Sequence, residues 1–110
     1  DLNAMRRAAA ILTEKHDCKS FCGNKKMKKS TVREIYSIEV AEENGTLELR
    51  YHGDGFLQYM IRILSGTLLE VGQGVRPVDD MARILERLDR AAAGPTLPAR
   101  GLTLEKVEYS

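Results

Sequence analysis

The 110-residue chain has no long hydrophobic run and little cysteine, and each absence excludes a class of protein. No stretch approaches the roughly 18 consecutive apolar residues of a membrane-spanning helix, and no basic, apolar leader opens the sequence. Two cysteines, Cys18 and Cys22, are too few for the disulfide framework of a small secreted domain. We therefore expect a soluble, cytoplasmic protein, and the length suits a single domain over residues 1–110.

The chain also lacks an excess of either charge, because 17 basic residues stand against 16 acidic residues and the formal net charge is +1. The charges are nevertheless segregated. Residues 15–33 contain seven basic side chains and one acidic side chain, so this segment is near +6 and the rest of the chain near −5. A uniformly basic nucleic-acid binder is excluded, and any contact with nucleic acid has to be local.

The spacing of apolar residues predicts an α+β fold. Helical spacing recurs in three segments, residues 3–15, 56–71 and 78–88. Strand-like alternation, which places Tyr36, Ile38 and Val40 on one face, is followed after Asn44-Gly45 by a second alternating run, as is typical of a hairpin with a type I′ turn.

A closing strand is predicted near the end of the chain, where Leu102, Leu104, Val107 and Tyr109 alternate with polar residues and a parity change indicates a bulge. The order of elements is helix, loop, hairpin, two helices and strand. This order predicts a small antiparallel sheet with helices on one face.

Arg62 is the most informative single residue, because no other formally charged side chain lies between Gly55 and Leu69. On a helical wheel it lies away from the apolar face. A desolvated guanidinium needs a carboxylate or phosphate partner, since leaving it unpaired costs several kcal/mol. The alternative is that Arg62 reaches solvent or pairs with Glu70. Gly66, one turn further on, leaves room for another group to approach.

The lysine-rich loop allows two interpretations. Lys25, Lys26, Lys28 and Lys29 form either a solvated loop or mobile point charges that contact phosphates without sequence specificity.

Metal binding and nucleophilic catalysis find little support in the sequence. His16, Cys18, Cys22 and His52 do not have the spacing of a zinc site, so no metal is expected. The histidines also lack an identifiable orienting partner for a nucleophile. Asp54, between two glycines, is in isolation a candidate catalytic carboxylate, but the favoured interpretation is a turn residue that ends a strand of the hairpin.

Several segments together resemble, in order and spacing, the C-terminal half of the tRNA pseudouridine synthases that modify uridines in the anticodon arm. They are HDCKSF (16–21), VREIY (32–36), GFLQYMIR (55–62), GTLLEVG (66–72), AGPT (93–96) and ARGLTL (99–104). The similarity covers nearly the whole chain. It departs from the family at Cys18, where phenylalanine is usual, and at Gln58-Tyr59, where two histidines are frequent.

The resemblance implies a role for each candidate. Arg62 would pair with the catalytic aspartate, which attacks the target nucleoside while the base is cleaved from the sugar and reattached through carbon. Leu102 would line the uracil pocket, although a plain core position is the alternative. The residues expected to contact tRNA are Lys25, Lys26, Lys28, Lys29 and Arg33.

The resemblance also implies a longer protein. The Arg-Thr-Asp motif that carries the family's catalytic aspartate is absent, and the chain begins at Asp1 without an initiator methionine. We therefore expect the C-terminal domain of a homodimeric isomerase that needs no cofactor, with this domain inactive alone. Two alternatives remain: a non-catalytic RNA-binding α+β module that uses the Lys15–Arg33 loop, and a protein-interaction domain of ferredoxin-like shape.

Charge reversal of the four loop lysines to glutamate separates the two interpretations of the loop. If the lysines contact phosphates, tRNA binding weakens, and the slope of log affinity against log salt falls by roughly 0.7 to 0.9 for each phosphate that is no longer neutralised. Binding of tRNA measured across a salt series checks this. Unchanged affinity and slope would mean that the loop is only solvated.

Overall fold

The structure, a computed structural model, describes residues 1–24, 30–57, 59–97 and 103–108. This part of the chain contains one sheet and three α-helices. The helices are α1 (Leu2–Leu12), α2 (Met60–Gly72) and α3 (Asp80–Arg87), and the strands are β1 (Glu14–Asp17), β2 (Val32–Glu43), β3 (Thr46–Gly53) and β4 (Thr103–Glu108). Short 3₁₀ helices lie at Lys19–Phe21 and Arg90–Ala92. None of the described helices is long and apolar enough to cross a bilayer.

The strands lie side by side in chain order, and together with the helices they confirm the predicted α+β fold. β1, β2 and β3 pair antiparallel, whereas β4 joins the edge of β3 in parallel. The hairpin turn has positive φ at Asn44 (53°) and Gly45 (77°), as a type I′ turn requires. The register between β3 and β4 shifts between Leu49 and Tyr51, which confirms the predicted bulge.

The structure differs from the prediction at the start of the sheet. α1 ends at Leu12 instead of near residue 15, and Glu14 turns the chain with a φ of 78°. Residues 14–17 then form an edge strand, with Glu14 opposite Ile35. This short strand carries no apolar alternation, so pairing with β2 specifies it, and a search for periodic patterns misses it.

The hydrophobic core lies between the helices and one face of the sheet. From β2 and β3 the core receives Ile35, Val40, Leu49 and Tyr51. α2 contributes most of its predicted face, namely Met60, Ile63, Leu64, Thr67, Leu68 and Val71. The helical spacing predicts Phe56 on this face too, but Phe56 precedes the helix and packs against the core from the connecting segment.

A bulge in β2 changes which side chains face the core. The alternation in the sequence predicts that Tyr36 shares a face with Ile38 and Val40, but the register against β3 shifts between Ile35 and Ser37. Ile35 is therefore buried, and Tyr36 is 41% exposed on the opposite side. The ring of Tyr36 meets the ring of His52 edge-on, with the centroids 5.2 Å apart.

A buried polar pair joins the sheet to α2. The hydroxyl oxygens of Tyr51 and Ser65 are 2.7 Å apart, and both residues are almost fully buried. Burial raises the pKa of the Tyr51 hydroxyl above its ordinary value, so the group stays protonated and can take part in the bond at any physiological pH. This one hydrogen bond gives each buried hydroxyl a partner where water cannot supply one.

We expect Tyr51→Phe and Ser65→Ala each to lower the free energy of unfolding by roughly 1 to 3 kcal/mol, because each change leaves a buried hydroxyl without its partner. The double variant should lose less than the sum of the two single losses, by about 0.5 kcal/mol or more. Urea unfolding of the four proteins measures this coupling. Additive losses would show that the two hydroxyls do not depend on each other.

Candidate active site

Arg62 lies in the first turn of α2, partly buried, and its guanidinium is held on two sides. Its Nε donates a hydrogen bond to the Leu97 carbonyl oxygen at 2.7 Å, and the Leu97 amide donates back to the Arg62 carbonyl oxygen at 3.2 Å. The guanidinium carbon also lies 5.0 Å from the centroid of the Tyr59 ring, within the range of a cation–π contact. Neither contact uses the Nη1 or Nη2 group.

Within the described ranges, no carboxylate forms an ion pair with Arg62, and neither Nη group donates a hydrogen bond to a protein atom. Glu70, the partner considered in the alternative interpretation, binds Arg76 instead. The outer edge of a guanidinium offers parallel N–H donors that match a carboxylate or a phosphate. Among the described residues, nothing occupies this edge.

Gly66 leaves room for an approaching group, as expected, and that group is the chain itself. A Cβ atom at Gly66 would lie 1.9 Å from the Pro95 carbonyl oxygen and 3.4 Å from the Leu97 side chain. The missing side chain lets the segment Gly94–Leu97 lie directly on α2. We call these four residues the clamp segment, because they hold Arg62 through the Leu97 carbonyl.

The clamp segment runs along α2 from its middle towards its start. The Gly94 amide donates to the Thr67 hydroxyl at 2.9 Å, and this hydroxyl in turn donates to the Ile63 carbonyl oxygen at 2.9 Å. Gly94 also needs its small size, since a Cβ there would lie 2.9 Å from the Thr67 Cα atom. The contacts of Gly94 with Thr67 thus fix the start of the path that brings the Leu97 carbonyl to Arg62.

Arg76 anchors the chain just before the clamp segment. Its Nε and Nη2 donate to a Glu70 oxygen at 3.2 and 3.1 Å, and its Nη1 donates to Asp80 at 2.6 Å and to the Ala92 carbonyl at 2.9 Å. The Arg76 side chain is only 18% exposed, so solvent screens these contacts weakly. The network joins the end of α2, the start of α3 and the approach to Gly94.

The sequence singles out neither Arg76 nor Leu97. Arg76 matters because it bonds to groups that are distant in the sequence, and Leu97 matters through its backbone carbonyl. The closeness of the clamp segment to α2 does leave a trace in the sequence, namely Gly66 within a helix and Gly94 before a proline. Two small residues at distant positions are a weak signal on their own. Their partnership is visible only when the two segments are brought together.

The remaining candidates that the structure describes make hydrogen bonds to nearby backbone groups. Arg33 donates to the carbonyls of Ser30 (2.8 Å) and Val32 (2.7 Å). Asp54 accepts from the Glu34 amide at 2.9 Å and continues the strand pairing, as expected of a turn residue. Five other predicted site residues lie outside the described residues: Lys25, Lys26, Lys28, Lys29 and Leu102.

The two cysteines are buried thiols. Burial, followed by the nearby charge of Asp17, raises the pKa of Cys18 to about 11, so it is protonated and a poor nucleophile at neutral pH. Its Sγ lies 3.6 Å from the His16 carbonyl, and the Cys22 Sγ lies 3.4 Å from the Asn24 carbonyl. Among the residues with described positions, no group of three or more histidine, cysteine or acidic side chains could hold a metal ion.

The fold and site define a class of domain: an α+β unit in which, among the described residues, the outer edge of the Arg62 guanidinium meets no protein acceptor. A family model described as tRNA pseudouridine synthase matches residues 8–110. The chain belongs to this family, and the resemblance inferred from the sequence is confirmed.

Individual relatives agree with the family match. The tRNA pseudouridine synthase A of Geobacter sp. (strain M21) is 44% identical over 110 residues, which are 99% of this chain and 44% of the relative. The enzyme of the same name from Geobacillus sp. (strain WCH70) is also 44% identical, over 109 residues. The tRNA pseudouridine synthase A 1 of Bacillus cereus (strain ATCC 10987 / NRS 248) is 44% identical over all of this chain and 44% of its own length. The chain therefore spans less than half the length of these relatives.

Substitution of Gly66 by alanine tests the clamp segment. Alanine normally stabilises a helix by about 1 kcal/mol relative to glycine. At Gly66 we expect the opposite sign, a loss of about 1 to 3 kcal/mol in the free energy of unfolding, because the new Cβ overlaps the Pro95 backbone. Urea unfolding measures the change.

Gly55→Ala is the matched control, since a Cβ there would meet only the Arg33 side chain at an ordinary distance of 3.6 Å. We expect this variant to keep wild-type stability within about 0.5 kcal/mol. A Gly66→Ala variant that is as stable as the control would mean that the clamp segment does not rest on α2.

Proposed function

We propose that this chain is the C-terminal domain of a tRNA pseudouridine synthase that isomerises uridine to pseudouridine in the anticodon stem-loop of tRNA. The observation that carries the proposal is the Arg62 guanidinium, held by Leu97 and Tyr59, whose Nη groups meet no acceptor within the described residues. Membership of the family supports the reaction. The share of the relatives' length that the chain spans agrees with a catalytic aspartate supplied by another part of the enzyme.

The pairing of Arg62 with that aspartate would serve the chemistry in two ways. A guanidinium within a few ångström lowers the pKa of a partly buried carboxyl, so the acid remains ionised at neutral pH and can act as a nucleophile. The two-pronged edge also fixes the plane of the carboxylate. The carboxylate then faces the target nucleoside, whose base is detached from the sugar and rejoined to it through carbon.

The other predicted residues complete the proposal. Leu102 forms part of the wall of the uracil pocket. Contacts to tRNA phosphates help to offset the cost of unstacking the target base, which has to leave the stem-loop stack to reach an enclosed site. We assign these contacts to Lys25, Lys26, Lys28, Lys29 and Arg33. The enzyme works without a cofactor in the cytoplasm, as a homodimer, and this domain alone is inactive.

Arg62→Ala and Arg62→Lys in the full-length enzyme test the role of the arginine. We expect turnover to fall roughly 100-fold or more in Arg62→Ala, because the aspartate loses a desolvated partner. Arg62→Lys should also be impaired, since an ammonium group has no parallel donors. Affinity for tRNA should change less than about threefold, because phosphate contacts dominate it. Pseudouridine formation on unmodified tRNA and a binding assay give both quantities.

Arg6→Lys is the matched control. Arg6 is another arginine whose Nε donates to a backbone carbonyl, that of Val40 at 3.1 Å, but it lies on α1. We expect this variant to keep wild-type turnover. Unchanged turnover in Arg62→Ala would remove Arg62 from the site. Product formed by the 110-residue chain alone would also contradict the proposal, because the catalytic acid would then lie within this chain.

A further inference from the structure

Tyr59 adopts a backbone conformation that its side chain disfavours. Its φ of 59° and ψ of 8° lie in the left-handed region, immediately before α2, where the Tyr59 carbonyl accepts the first helical hydrogen bond from Ile63. Glycine or asparagine adopts this conformation with less strain than a bulky aromatic residue. The turn itself therefore gives no reason for a tyrosine. A strained residue next to a candidate active site suggests that its side chain has a task there.

Tyr59 is 47% exposed, so burial of apolar surface does not account for its position. The contact on its face is the Arg62 guanidinium, whose carbon lies 5.0 Å from the ring centroid. The phenol hydroxyl makes no hydrogen bond to any atom of the described segments. The ring face, and not the hydroxyl, is thus the part of Tyr59 that meets Arg62.

The two contacts of Arg62 restrict different motions. The bond from Nε to the Leu97 carbonyl fixes one point of the guanidinium, but the plane can still tilt about that bond. The aromatic face limits this tilt, because the attraction between a cation and a ring depends on the cation remaining over the face. Both contacts are needed to fix the direction of the Nη1 and Nη2 groups.

We propose that Tyr59 is a positioning residue for the isomerisation: its ring sets the plane of the Arg62 guanidinium, so that both Nη groups meet the carboxylate of the catalytic aspartate. The inference rests on the proposed function, because it requires Arg62 to act on a carboxylate. Tyr59 touches neither the substrate nor the reacting atoms in this role. Its effect reaches the reaction only through the orientation of Arg62.

The experiment compares Tyr59→Phe and Tyr59→Gly in the full-length enzyme, with kcat and KM measured on unmodified tRNA. Phenylalanine keeps the ring face, so we expect kcat within about twofold of wild type. Glycine removes the ring and suits the left-handed conformation, so kcat should fall roughly 3- to 30-fold while KM changes less than about twofold. The urea midpoint of Tyr59→Gly should not fall, because backbone strain is relieved.

Tyr36→Ala is the matched control, since Tyr36 is similarly exposed (41%) and its ring meets His52 and not Arg62. We expect its kcat to equal that of wild type. A Tyr59→Gly enzyme with wild-type kcat would overturn the inference. An equal loss in Tyr59→Phe would do so too, because the hydroxyl and not the ring would then matter.

A double variant separates positioning from a purely structural role. If Tyr59 acts through Arg62, Tyr59→Gly should cost little further kcat in an Arg62→Lys enzyme, because the oriented edge is already lost. Full, independent losses in the double variant would overturn the inference. Wild-type turnover in Arg62→Lys alone would instead contradict the proposed function at Arg62, so the failures of the two proposals can be told apart.

Discussion

The reciprocal hydrogen bonding between Arg62 and Leu97 is the constraint on which the candidate site depends. It joins the first turn of α2 to a segment 35 residues later in the chain. An arginine side chain has several rotatable bonds, and a free guanidinium would sample many directions. The backbone carbonyl, a rigid acceptor held against a helix, removes most of this freedom before any partner binds. Preorganisation of this kind lowers the entropic cost of pairing with a carboxylate.

The rest of the domain supports this arrangement in layers. The Tyr51–Ser65 pair holds α2 on the sheet, Thr67 receives the Gly94 amide, and Arg76 ties the approach to Gly94 to two helices. The buried or partly buried polar groups in this series of contacts bond to one another. A network of paired polar groups is more stable in a low-dielectric interior than the same groups left unpaired. The site is thus a property of the packing between segments and not of one helix.

The sequence predicts the helices and the hairpin well, because each has its own periodicity or turn chemistry, as in the α2 stripe and Asn44-Gly45. β1 escapes prediction, since its pairing with β2 specifies it and its residues do not alternate. Arg62 is recognisable as a lone charge in an apolar segment, yet its true neighbours are not. Leu97 acts through its backbone, Tyr59 has an unusual φ angle, and Gly66 admits another segment of the same chain. Composition and spacing report neither of the first two facts, and a glycine within a helix is only a weak sign of the third.

The acceptor that holds Arg62 is a main-chain oxygen, that of Leu97. This affects which changes of sequence the domain can accept. Replacement of the Leu97 side chain leaves its carbonyl in place, so this position can accept many residues without loss of the anchor. The length of the clamp segment is a different matter. Insertion or deletion of one residue between Gly94 and Leu97 would displace the carbonyl by roughly 3 to 4 Å along the helix. The site therefore constrains the number of residues in this loop more strongly than their side chains.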